Sequence, residues 1–207
     1  MFGIVSSMIN TYDTVFFDWG GVVADDPGDE FLGDLLRHLG ATESQIQEIF
    51  QNYMKRFMRG QISESEYWTE LKTNYGFSIP DTISQEFMKW TGLRANEDIL
   101  DLVDAVKIRG LQTAIFSNVI EPTYNVLDAA GYYGRFDTIV ASCKVGYAKP
   151  EKEIYTLALN MLNTTGEKSI FIDDKESNLV PARALGFTTI HAQTPEQIIG
   201  DLNKLLV

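Results

Sequence analysis

Residues 14–23 read TVFFDWGGVV. Thr14 to Phe17 suit a buried strand, and they run straight into a carboxylate, Asp18, followed by Trp19 and two glycines. A short, continuous apolar run of this kind predicts a strand covered on both faces. Both faces can be covered only if helices pack above and below the sheet, so the rest of the chain should alternate helix and strand. From residue 95 it does. NEDILDLVDAVKIRG (96–110) is helical in pattern and ends on a glycine, a common helix stop. QTAIFSN (112–118) reads as a strand and EPTYNVLDAAG (121–131) as a helix with proline in its first turn. FDTIVAS (136–142) is a strand, KPEKEIYTLALNML (149–162) a helix, and KSIFIDD (168–174) a strand. ESNLVPARALG (176–186) is a helix, FTTIHA (187–192) a strand, and TPEQIIGDLNKLL (194–206) a closing helix. This order predicts an α/β fold built on a doubly wound, parallel, Rossmann-like sheet.

Between the first strand and this repeat lies a block of different character. Residues 28–91 offer no good strand candidate. Apolar residues recur there at helical spacing: Phe31, Leu35, Leu36 and Leu39; Ile46, Ile49, Phe50, Tyr53, Met54 and Phe57; Tyr67, Trp68 and Leu71; Ile83, Phe87 and Trp90. Ser63 followed by Glu66 has the form of a capping box. The expected organisation is a core of residues 1–25 and 94–207, with an all-helical cap domain of residues 26–93 inserted after strand 1.

Bulk properties narrow the function. The 207 residues carry 29 acids against 17 bases, a net charge of −12. Such a surface repels nucleic acid at long range, although a cation held in a cleft can reverse the local field for a small phosphate. The single cysteine, Cys143, cannot form an intrachain disulfide. It stands at the end of a predicted strand and reads as an inert thiol. The first fifteen residues lack the basic start and apolar core of a signal peptide, and no apolar run would span a bilayer. The expectation is a cytoplasmic protein, monomer or homodimer, with neither nucleic acid nor membrane as partner.

In doubly wound sheets, sites form beyond the carboxyl ends of the strands. The first strand ends on Asp18, the second on Ser117 and Asn118, and the IFIDD strand on Asp173 and Asp174. Lys149 lies in the loop after the third strand. Three carboxylates gathered at one rim repel one another and call for a cation. Oxygen ligands without neighbouring histidine or cysteine suit Mg²⁺. A divalent ion, a lysine and small hydrogen-bonding groups form a receptor for a phosphoryl group, and Asp18 could both touch the metal and attack phosphorus in line. Gly20 and Gly21 would let backbone N–H groups approach an anion with no Cβ in the way.

The four segments FFDWGGVV, IFSN, KP and IFIDDKESN, in this order over roughly residues 14–190, resemble the motifs of the haloacid dehalogenase-like hydrolase superfamily. RGQISESEYW (59–68) is similar to a cap segment of the branch whose helical cap follows the first strand. The resemblance implies a Mg²⁺-dependent phosphomonoesterase acting on a small phosphorylated metabolite, a sugar phosphate being one candidate. It implies that Asp18 is the nucleophile that becomes an aspartyl-phosphate. Ser117, Asn118, Gly21 and Lys149 would hold phosphate. Asp18, Asp173, Asp174 and the main-chain carbonyl of Gly20 would hold Mg²⁺. One departure is evident. Phosphatases of this family usually carry a second aspartate two residues after the nucleophile, as general acid–base, and this chain has Gly20. Either the leaving group needs little protonation, or another acid such as Asp25 or a cap residue substitutes.

Other readings of the same residues lead elsewhere. A haloacid dehalogenase also uses an aspartate nucleophile, but needs no metal and so no Asp173–Asp174 pair. Phosphonoacetaldehyde hydrolysis would need a Schiff-base lysine from the cap, for which Lys55, Lys72 and Lys89 are the candidates. The missing acid also fits a non-catalytic or weakly active phosphate-binding protein. Asn178 is expected to tether the loop beside Asp173, and His38 and His191 to be structural or simply exposed. Trp19 either borders the substrate entrance or packs.

Overall fold

The computed structural model describes residues 11–26, 28–83 and 94–206. Its five strands are β1 (Thr14–Phe17), β2 (Gln112–Ser117), β3 (Thr138–Ala141), β4 (Ser169–Asp173) and β5 (Thr188–His191). They form one sheet in the order β3-β2-β1-β4-β5, and every neighbouring pair is parallel. β1 is therefore central. Phe17 pairs with Ile115 on one side and Ile172 on the other. This register brings the ends of β1, β2 and β4 to the same level.

The helices are α1 (Gly28–His38), α2 (Glu43–Glu48), α3 (Lys55–Met58), α4 (Glu64–Tyr75) and α5 (Glu97–Ile108), followed by α6 (Glu121–Ala129) and α7 (Ser142–Val145). The last three are α8 (Lys152–Leu162), α9 (Glu176–Ala184) and α10 (Pro195–Leu205). Strand side chains alternate between faces, and both faces of β1 are apolar. Val15 and Phe17 pack with Ile99 and Val103 of α5, Leu127 of α6 and Leu202 of α10. Phe16 points the other way, into a cluster with Phe116, Phe171, Tyr155 of α8 and Leu179 of α9. The run of apolar residues at 15–17 thus has helices on both sides, as its composition requires.

Residues 28–83 build a third apolar cluster of their own, in which Leu36, Ile49, Phe57, Tyr67 and Leu71 are buried. Ile120, just after β2, joins this cluster and ties it to the sheet. Local signals set the helix ends. Thr42 caps α2 and Ser63 caps α4, each with a reciprocal capping box to Gln45 and Glu66. Gly76 closes α4 at φ 72°. One feature departs from the sequence reading. The pattern Ile46–Phe57 predicts an unbroken α-helix, but Ile49–Met54 is wound as π-helix between α2 and α3. Such wide turns often occur beside functional sites, and this one faces the strand ends. A second departure concerns Cys143, which lies in the short helix α7 rather than at a strand end. Ile83 is buried as its spacing predicts. Phe87, Lys89 and Trp90 lie outside the described residues. No helix among the described residues is long and apolar enough to cross a membrane.

Candidate active site

Asp18 continues the β1 ladder, its N–H donating to Ile172 O at 2.9 Å. The chain then turns sharply, with the N–H groups of Val23 and Ala24 both donating to Trp19 O at 2.9 Å. The Asp18 side chain lies just beyond the end of β1, its Oδ1 accepting the Trp19 N–H at 2.7 Å. Asp18, Ser117, Lys149 and Asp173 are all buried there. The sequence expectation that the strand ends converge is realised in full for these four groups.

Lys149 is the hub. Its Nζ lies 3.0 Å from Asp18 Oδ2 and 2.6 Å from Asp173 Oδ2. It donates to Phe116 O at 2.8 Å, and it sits 5.2 Å from the ring centres of both Phe116 and Phe171. An ammonium ion removed from water needs this set of acceptors and ring faces. Asn118 fixes the loop that carries it. The Asn118 Oδ1 accepts the Lys149 N–H, and its Nδ2 donates to the Lys149 carbonyl, both at 2.8 Å. The Asn118 side chain thereby positions Lys149, and its second amide N–H remains beside the cavity that Asn118 lines.

Asp173 is held as firmly. Its Oδ1 accepts the Lys175 N–H at 2.8 Å, and Asn178 Nδ2 reaches Oδ1 at 3.0 Å and Oδ2 at 3.1 Å. Asn178 is the tether expected from its place in the motif. Burial pushes the Asp18 carboxyl up to about 7, Lys149 opposing the rise and Asp173 adding to it. Burial also raises Asp174, helped by the nearby charges of Asp173 and Asp26.

Gly21 departs from its expected role. Its N–H donates to Ala24 O at 2.7 Å, so it is used within the turn and does not hold an anion. The residue must be glycine for two other reasons. Its φ is +74°, and a Cβ there would stand 2.5 Å from Asp174 Cγ. The glycine makes room for the second carboxylate of the motif.

That carboxylate bears on the metal. One oxygen from each of Asp18, Asp173 and Asp174 falls within 4.8 Å of the others. Asp174 Oδ1 is buried and accepts no hydrogen bond from the protein. With all three carboxylates ionised, Lys149 neutralises one and leaves two negative charges uncompensated among these four groups. An all-oxygen set with a buried orphan oxygen and excess negative charge fits a hard divalent cation.

The group opens into a cavity of about 610 Å³, a suitable size for a small ligand. Asp18, Ser117 and Lys149 form its floor, and Leu32, Phe50, Met54 and Met58 from the helical segment form the opposite wall. Of the candidate Schiff-base lysines, Lys55 lines this cavity and Lys72 does not. Arg59 of the segment pairs with Glu151 of the core, both only part-exposed. Trp19 borders the cavity and also packs, its ring 5.3 Å from Tyr132 and 5.9 Å from Tyr133. His191 is exposed, and its Nε2 lies 2.9 Å from Asp174 O. Burial raises the Cys143 thiol to about 11, which keeps it protonated and unreactive.

Comparison with known proteins agrees with the architecture. The sequence pattern of the haloacid dehalogenase-like hydrolases matches residues 12–186, and the chain belongs to that family. The sesquiterpene phosphatase astK of Aspergillus oryzae is 28% identical over 89% of this chain and 91% of its own length. Mouse acyl-CoA dehydrogenase family member 10 is also 28% identical over 95% of this chain, but the match spans only 19% of that longer protein. Among solved structures, a HAD family enzyme from Bacteroides thetaiotaomicron, in complex with magnesium and inorganic phosphate, superimposes with a TM-score of 0.71. It is 20% identical, and the superposition covers 86% of this chain and 93% of that one.

Proposed function

We propose that the protein is a Mg²⁺-dependent phosphomonoesterase in which Asp18 attacks the phosphorus of a small monoester. The observation that carries this reading is the Lys149 ammonium held between Asp18 and Asp173, beside the partnerless Asp174 oxygen. Asp18, Asp173, Asp174 and the carbonyl of Gly20 hold the metal. When bound, the ion supplies fixed positive charge where the phosphoryl oxygens gather. Ser117 and Lys149 bind those oxygens and align the phosphorus with Asp18. Their donors are fixed before substrate arrives, so little reorganisation is needed as charge shifts toward the leaving oxygen. The helical segment, residues 26–93, serves as a cap over a core of residues 1–25 and 94–207. It limits bulk water in the site and selects the substrate. Two relatives support this chemistry, one named a phosphatase and one crystallised with magnesium and phosphate. A metal-free dehalogenase would have no use for the paired Asp173 and Asp174.

The cavity wall narrows the substrate. Beside polar groups of Lys55, Arg59, Thr123 and Ser177, the residues Leu32, Phe50, Met54, Met58, Val119 and Ile120 give it apolar surface. An ester with an apolar body would bury surface against them, at roughly 25 cal/mol per Å². A polyol would lose hydrogen bonds to water there. The reading is therefore a monophosphate of a compact apolar alcohol, rather than the sugar phosphate considered from the sequence. The test is phosphate release from isoprenoid and alkyl monophosphates against sugar phosphates, each with Mg²⁺ and with chelator. Faster, metal-dependent turnover of the apolar esters supports the assignment, and preference for sugar phosphates removes the apolar part of it. No turnover, with phosphate still raising the melting temperature, would instead identify a binding protein. Lys55 warrants one control, borohydride trapping with phosphonoacetaldehyde, which the phosphatase reading expects to be negative.

A further inference from the structure

An alkoxide leaving group needs a proton, and residue 20, which carries the acid in most phosphatases of this family, is a glycine here. Its backbone would accept a side chain, because Gly20 is not among the glycines at positive φ. The space is what differs. A Cβ built on Gly20 would lie 3.0 Å from both Cβ and Cγ of Asp26 and 3.2 Å from its Oδ2. The Asp26 side chain therefore stands where the side chain of residue 20 would begin. Asp26 borders the same cavity as Asp18, and Lys175 Nζ holds its Oδ2 at 3.1 Å. The other carboxylates at the wall are less suited. The three atoms nearest a Cβ at Gly20 all belong to Asp26, and none to Asp25 or Glu151.

We infer that Asp26 is the proton donor and acceptor of the reaction, supplied from the turn after β1 in place of residue 20. This rests on the phosphatase reading above. In the first step an Asp18 carboxylate oxygen bonds to phosphorus and the phosphorus–alkoxy bond breaks. The bonding pair stays on the alkoxy oxygen, which takes the proton of the Asp26 carboxyl and leaves as the alcohol. In the second step Asp26, now a carboxylate, takes a proton from water as the water oxygen bonds to phosphorus. The bond from phosphorus to Asp18 breaks, returning the Asp18 carboxylate and releasing phosphate.

The experiment compares an alkyl phosphate, whose alkoxide must be protonated, with p-nitrophenyl phosphate, whose leaving group need not be. Asp26→Asn should lower kcat/KM for the alkyl ester by about 10²–10³-fold, the usual contribution of a placed general acid. With the aryl ester the same variant should release one equivalent of nitrophenolate in a burst and then turn over slowly, because the second step still lacks its base. The double variant Gly20→Asp with Asp26→Gly moves the carboxyl to residue 20 and removes the side chain that would collide with it. It should recover at least tenfold of what Asp26→Gly alone loses. Unchanged alkyl ester turnover in Asp26→Asn overturns the inference while leaving the phosphatase reading intact. So does equal loss on both esters without a burst. Absence of turnover by the unaltered enzyme on both esters and on the sugar phosphates refutes the phosphatase reading itself, and this inference with it.

Discussion

Replacing Lys149 by methionine keeps the length and apolar stem of the side chain but removes the charge that Asp18 and Asp173 share. The Lys149 and Asp173 side chains have no exposed surface, and that of Asp18 is 10% exposed. Breaking a buried ion pair from one side typically costs ~3–5 kcal/mol, because the remaining charge is left uncompensated. For a chain of this size that corresponds to a melting temperature lower by roughly 10 °C. The loss should depend on pH, and its sign follows from Asp18. Burial already raises this carboxyl from 3.8 to about 7 in the folded protein. A raised acid penalises folding as pH climbs from the unfolded value through the folded one, and the penalty is complete above the folded value. Without Lys149 the Asp18 carboxyl rises further and the penalty at alkaline pH grows. In metal-free buffer, Lys149→Met should therefore be most destabilised near about pH 8 and approach wild type near about pH 5, where Asp18 is protonated. Mg²⁺ should restore part of the loss by supplying the missing positive charge. Urea denaturation at both pH values, with and without Mg²⁺, measures this. A variant equal to wild type at the higher pH, or a deficit that does not change with pH, would refute the electrostatic account of the site.

Three further predictions follow from the same geometry. Mg²⁺ must displace the proton that burial retains on Asp18, so its affinity should fall about tenfold per pH unit below ~7 and level off above; calorimetry in buffers of different ionisation enthalpy would count the proton released. Gly21→Ala should weaken Mg²⁺ binding by at least about tenfold, because its Cβ would displace Asp174 and the left-handed backbone adds ~1–2 kcal/mol of strain; a metal titration would detect this. Gly60→Ala should lower stability by about 2 kcal/mol, since φ is +64° and a Cβ would meet the Cys143 carbonyl at 2.2 Å. That collision lies between the helical segment and the core, so hydrogen exchange in residues 43–75 should rise with it.

The parts of this molecule legible in the sequence are those that depend on one strand at a time. Thr14–Phe17, Ile115–Ser117 and Ile170–Asp173 declare themselves as buried strands, and parallel pairing then brings Asp18, Ser117 and Asp173 together. Lys149 follows because it sits in a loop on the same rim. Asn118 and Gly21 were placed near the site, but their tasks depend on where single N–H and C=O groups point. Asn118 grips the Lys149 backbone and Gly21 yields space to Asp174, which no periodicity encodes. The π-helical turn at Ile49–Met54 is hidden for a related reason: its apolar spacing also fits an ordinary helix. Asp26 is not singled out by the sequence, because DDPG offers two adjacent acids. Only the path of the turn decides which of them comes beside Gly20.

The central claim is that phosphorus passes through a bond to one carboxylate. Rapid acid quench during turnover of an alkyl or aryl phosphate, followed by peptide mass analysis, tests it directly. The account predicts one phosphoryl group on the peptide containing Asp18, removed by hydroxylamine and absent from Asp18→Asn. Sustained phosphate release with that peptide never modified, or with Asp18→Asn still active, would contradict it.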